Sequence, residues 1–139
     1  MVIPKLESAI WQALSDAAHA VVTSPVMTVY EPGAIITGQP PYILLSDIRN
    51  DKVREGINAS VGHQQSGTLL LTVHWPLSQP ITHLQLVEIG ATIAGNFTAD
   101  KCLRHGHANL RVTRDSDVLA SFVSGNFRVL PVRVFWVLT

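Results

Sequence analysis

From Gly67 to Ala99 the chain runs 33 residues with one charge, Glu88. Two apolar patterns follow each other there. In Gly67 to Trp75, Leu69, Leu71, Val73 and Trp75 face one way and Thr68, Leu70, Thr72 and His74 the other, the period of a strand. Pro76 stops it. From Ile81 to Phe97 the period becomes helical, with Leu86, Ile89, Ile93 and Phe97 on one stripe and Val87, Ala91 and Ala94 widening it. A helix this broadly apolar is expected to be covered on more than one side, by a sheet and by another subunit. Gly90 and Gly95 lower its intrinsic stability and are expected to admit a neighbouring backbone closely. No membrane span is expected, because His74, Pro76, Gln79, Pro80 and His83 break the charge-poor stretch.

The rest of the chain fits around that unit. Pro4 to Val21 reads as an amphipathic helix, with Leu6, Ile10, Leu14, Ala17 and Val21 on one face. Val26 to Tyr30 and Tyr42 to Ile48 read as strands, joined by a proline-bearing loop. Arg49 to Ser66, the most polar stretch, reads as a long exposed loop. Thr98 to His107 reads as a polar connection. Three strands are expected at the end, Asn109 to Arg114, a weaker Val118 to Val123, and Phe127 to Leu138. The last is apolar on both faces and is expected to be deeply buried or paired across an interface. The resulting expectation is one α+β domain over 1–139: a mixed, mainly antiparallel sheet, two helices packed on one face, and a long exposed loop.

Charge narrows the function classes. Only 14% of the 139 residues are charged, against about 25% in an average chain, so roughly 15 charges are missing. Disorder over most of the chain is excluded, and faces covered by partners are the expected use of the deficit. Net charge is zero, which argues against a protein whose main work is gripping nucleic acid phosphates. The balance is uneven: residues 1–99 sum to −3 and residues 100–139 to +3. The single cysteine, Cys102, forms no internal disulfide, and no segment has the pattern of a signal peptide, so cytoplasmic assembly is expected.

The densest cluster of reactive side chains is Cys102, His105 and His107, ligand types that zinc or copper take. No further ligand stands at a recognised spacing, and Lys101 and Arg104 would repel a cation. A polar loop is the preferred reading over a metal site or a thiol enzyme. No G-x-S-x-G elbow, paired carboxylates or glycine-rich phosphate loop is present, so no catalytic, metal or cofactor-binding residue is assigned. Lys101, Arg104, Arg111 and Arg114 could line a surface that meets DNA; a strand edge guarded by positive charge is the plainer alternative.

The order of segments resembles the tail terminator, or tail-completion, family of long-tailed bacteriophages and gene transfer agents. The likeness is carried by the opening helix in "PKLESAIWQALSDAAHAVV", the Val29-Tyr30 strand, "QPPYILLSD" from Gln39 to Asp47, the run "GTLLLTVHWPLSQPITHLQLVEIGATIAGNF", and the terminal "LRVTRDSDVL" and "FRVLPVRVFWVLT". It implies a structural, non-enzymatic virion protein without cofactor. Such a protein forms a hexameric ring at the head-proximal end of the tail, capping the tail tube and joining it to head-tail connector proteins while DNA passes its lumen without sequence-specific binding. The family supplies no interface residues to carry over. From charge and position, the candidates are Arg49, Lys52, Arg54, Glu55, His63, Lys101, Arg104, His105, Arg111 and Arg114. Another neck protein, a stopper or head-completion component, has a similar profile.

Overall fold

A computed structural model describes residues 6–23, 26–36, 40–49, 53–54, 63–106 and 108–139. The elements in order are α1 (Leu6–His19), β1 (Thr28–Tyr30), β2 (Tyr42–Arg49), β3 (Val53–Arg54), β4 (His63–Gln64), β5 (Ser66–Pro76) and α2 (His83–Ala94), then β6 (Cys102–His105), β7 (Ala108–Val112), β8 (Asp117–Val118), β9 (Phe122–Ser124) and β10 (Phe127–Leu138). The main sheet runs β1-β2-β5-β10-β7-β6. β1 and β2 are parallel and every other pairing is antiparallel. The expected α+β architecture is what the chain adopts.

β10 is the spine. One edge pairs with β5 along almost its whole length, and the other is shared in turn by β9, β8 and β7. Its Leu130, Val132, Val134 and Trp136 stand opposite Val73, Leu71, Leu69 and Gly67, and these side chains form the core with Ile10 and Leu14 of α1 and Leu86 and Ile93 of α2. Alternation does the sorting, since the residues between them point away from the helices. On the helix side these four residues of the last strand are at most 1% exposed; on the other side Val129 and Val137 are buried too, while Pro131, Arg133 and Phe135 between them are half-buried.

Two glycines set close approaches. A Cβ at Gly67 would stand 2.7 Å from both the Ile48 carbonyl oxygen and Trp136 Cζ2, so only glycine leaves room for the indole here. At Gly90, a Cβ would collide with Leu130 Cδ2 and come within 3.0 Å of Val118 Cγ1, which is how α2 reaches the sheet. Gly95 has a different role from the one expected: α2 ends at Ala94, and Gly95 is its C-cap. Phe97 is fully buried from the turn beyond the helix, not from its stripe. The start of α2 is held by a capping box, Thr82 Oγ1 accepting from the Gln85 amide and Gln85 Oε1 from the Thr82 amide. Thr82→Ala is expected to destabilise the fold by about 1 kcal/mol, read as a lower urea midpoint with unchanged slope.

Other segments differ from expectation as well. The connection Thr98 to His107 contains an edge strand, β6, with only Leu103 facing inward. The weak strand near Val118 is two short pieces, β8 and β9, because one long partner edge serves both. Most of Arg49 to Ser66, expected as a long exposed loop, lies outside the described residues; within it β3 and β4 form a small antiparallel ladder, Val53 opposite Gln64 and Arg54 opposite His63. Helix α1 holds both margins of the sheet: Ser15 Oγ donates to Glu31 Oε1, just past β1, at 2.9 Å, and Asp16 Oδ2 meets His105 Nδ1 of β6 at 3.3 Å. Consecutive residues of one helix thus touch opposite edges, so the sheet curls around α1.

Candidate interaction faces

The sheet has a helix side and a helix-free side, and strand parity assigns residues to each. On the helix-free side, Arg133 stands opposite Leu70 and Asp117, and Arg111 opposite Val137 and Cys102. Arg133 Nη2 and Arg114 Nη2 both donate to Asp117 Oδ2 at 3.0 Å. The two guanidinium carbons lie 3.9 Å (Arg114) and 5.0 Å (Arg133) from the Phe135 ring centroid, within cation–π range. Arg111 Nη1 donates to Asp100 Oδ1 at 3.0 Å, and Arg104 Nε to Asn109 Oδ1 at 3.1 Å. Each arginine spends one donor this way; Arg133 Nε is buried, and the remaining guanidinium donors are left for other partners.

The same side carries an aromatic group nearer β2. Tyr42 stacks on His74 at 4.6 Å between centroids, with Phe127 and Tyr30 edge-on to Tyr42. Burial raises the Tyr42 phenol above its ordinary range, helped by Tyr30. Burial likewise holds the His74 imidazole below its ordinary range, with the contact to the Thr72 carbonyl oxygen acting the other way. A lowered imidazole pKa means that the unfolded chain takes up the proton first. Stability is therefore complete above about pH 6.5 and declines as pH falls from there through the folded-state value. Urea midpoints at pH 7.5 and 5.5 are expected to fall further for the wild type than for His74→Phe, which keeps the stacking without titrating.

On the helix side, α2, the Val22–Thr23 segment and the end of β5 enclose a cleft of about 580 Å³ lined by Trp75, Ile81, Glu88 and Ile89 among others. Val22 and Leu84 are more than half exposed on this side. Glu88, the lone charge of Gly67 to Ala99, lies on the cleft wall and has no ion pair among the described residues.

The expected interface residues whose side chains are described stand on both sides of the sheet. Lys52, Glu55 and His107 lie outside the described residues. Arg49 closes β2, and Arg54 and His63 pair across the small ladder. Lys101 caps the Asn96 carbonyl and lies over Phe97. His105 turns toward α1, while Cys102, Arg104, Arg111 and Arg114 share the helix-free side. β6 thereby separates Cys102 from His105, and no group of three metal-ligating side chains occurs among the described residues. Sequence reading missed Arg133, Asp117 and Glu88 as site residues. Parity in β10 was the available signal, since it sets Arg133 apart from the buried even-numbered positions.

Comparison with known proteins agrees with the fold. A solved structure with 16% sequence identity matches all of this chain and 96% of its own length with a TM-score of 0.71, which establishes the fold. No curated protein matches in sequence. The family model described as "Phage tail terminator protein" matches residues 9–136, nearly the whole chain. With helix-to-strand order and family profile in agreement from end to end, the chain belongs to the phage tail terminator family, a family of structural proteins of the virion tail.

Proposed function

We propose that the protein closes the head-proximal end of the tail as a homohexameric ring, stops growth of the tail tube, and offers the surface on which head-tail connector proteins join. The observation that carries this reading is family membership over residues 9–136. A charge deficit with two well-formed faces supports it: a ring subunit covers two different patches on every copy and needs fewer charges to stay soluble. On this reading the subunit has no catalytic step and no cofactor. DNA passes the lumen without being read, as zero net charge allows. Assembly takes place in the host cytoplasm, and the Arg49 to Ser66 segment is the candidate contact with the tube or a neighbouring subunit. Sedimentation and native mass measurement, alone and with tail tube protein, are expected to give ring-sized species and tubes of limited length. A strict monomer that neither binds the tube protein nor limits its length sinks the reading.

A further inference from the structure

We infer that copies of this chain join head to tail through faces of opposite charge, the arginine-bearing helix-free face of one copy seating on the acidic helix side of the next. This rests on the ring reading above and assigns its two surfaces. The charge split along the sequence becomes a split across the sheet. Among the described residues of the helix side, α1 and α2 carry Glu7, Asp16 and Glu88, Glu31 is docked on α1 and Asp47 stands opposite Leu69, against Lys101 and Arg128. The helix-free side presents Arg104, Arg111, Arg114 and Arg133 against Asp100 and Asp117. Pairing either face with itself would set like charges together, so a two-fold contact is disfavoured, and helix side to helix-free side is the complementary arrangement.

A second copy suits the arginine face better than nucleic acid does. Asp100 and Asp117 stand among the arginines and would repel phosphate. The face continues into apolar surface, where Ile48 and Phe122 are each more than half exposed, and a protein surface covers such groups while a phosphate backbone leaves them wet. The opposite side offers a match, with exposed Val22 and Leu84 around the cleft and Glu88 on its wall as the unpaired acceptor. Arginine stems and Phe135 supply apolar area, and the spare guanidinium donors supply the polar contact.

The test uses full-length protein and native mass spectrometry. Arg111→Glu with Arg114→Glu in one variant, and Glu88→Lys in another, are each expected to weaken self-association by about a hundredfold. Mixing the two is expected to restore assembly with the variants alternating, visible from their different masses. The milder Arg114→Gln and Glu88→Gln, which keep side-chain shape, are expected to weaken association about tenfold and provide the reading if a reversed variant fails to fold. Variants that assemble like the wild type, or folded variants whose mixture stays dissociated, overturn the assignment. So does normal assembly with loss of salt-sensitive duplex DNA retention, which would make the arginine face a nucleic acid wall. Wild-type protein that never assembles sinks the ring reading itself; a ring indifferent to charge reversal sinks only the choice of faces.

Discussion

Gly67→Val is expected to destabilise the protein by about 3 kcal/mol or more, enough to lower the urea midpoint sharply without altering a surface group. The cause is geometric. Even the first atom of the new side chain would stand 2.7 Å from the Ile48 carbonyl oxygen and 2.7 Å from the Trp136 ring, far inside ordinary contact. The carbonyl is fixed by the β2–β5 ladder and the indole by the core, so neither yields without loosening three central strands. Near-UV circular dichroism is expected to show a displaced tryptophan in whatever fraction still folds. A fully stable Gly67→Val would mean that the indole does not lie against this glycine.

The second large effect is expected at the seat of α2. Gly90→Val destabilises by about 3 kcal/mol, because the collision with Leu130 and Val118 outweighs the small gain, under 1 kcal/mol, from replacing a helical glycine. Leu130→Ala alone leaves a cavity beneath α2 and is expected to lose about 2–5 kcal/mol. Together they trade volume across one contact, so the double variant should be more stable than the sum of the singles by at least about 1 kcal/mol. Strict additivity in that cycle would show that α2 does not rest on Leu130.

Strands β5 and β10 were legible because their inward positions are uniformly apolar over many residues, and α1 and α2 because their stripes repeat over several turns. Edge strand β6 was not. Of Cys102, Leu103, Arg104 and His105 only Leu103 faces the core, and one apolar residue makes no period. The end of α2 was overrun for a related reason: Phe97 continues the apolar spacing while the backbone has already turned at Gly95. The candidate faces were only half legible. Arg104, Arg111 and Arg114 could be named from charge, but their union with Arg133 depends on Asp117 standing opposite it in β8, a register that composition does not encode. Stacking of Tyr42 on His74 likewise follows from β2 lying beside β5.

The grip of α1 on both sheet margins bears on when the sheet takes its final curl. Of the elements involved α1 is made before the strands, and its Ser15 contact with Glu31 spans only 16 residues. Its Asp16 contact waits for His105, 89 residues later in the chain. Such long-range closure is slow relative to local pairing. Until it happens the sheet lacks the brace that sets its curl, and neither face has its final shape. Both margins are therefore braced only once the chain has been made through His105, which places closure of the sheet late in folding.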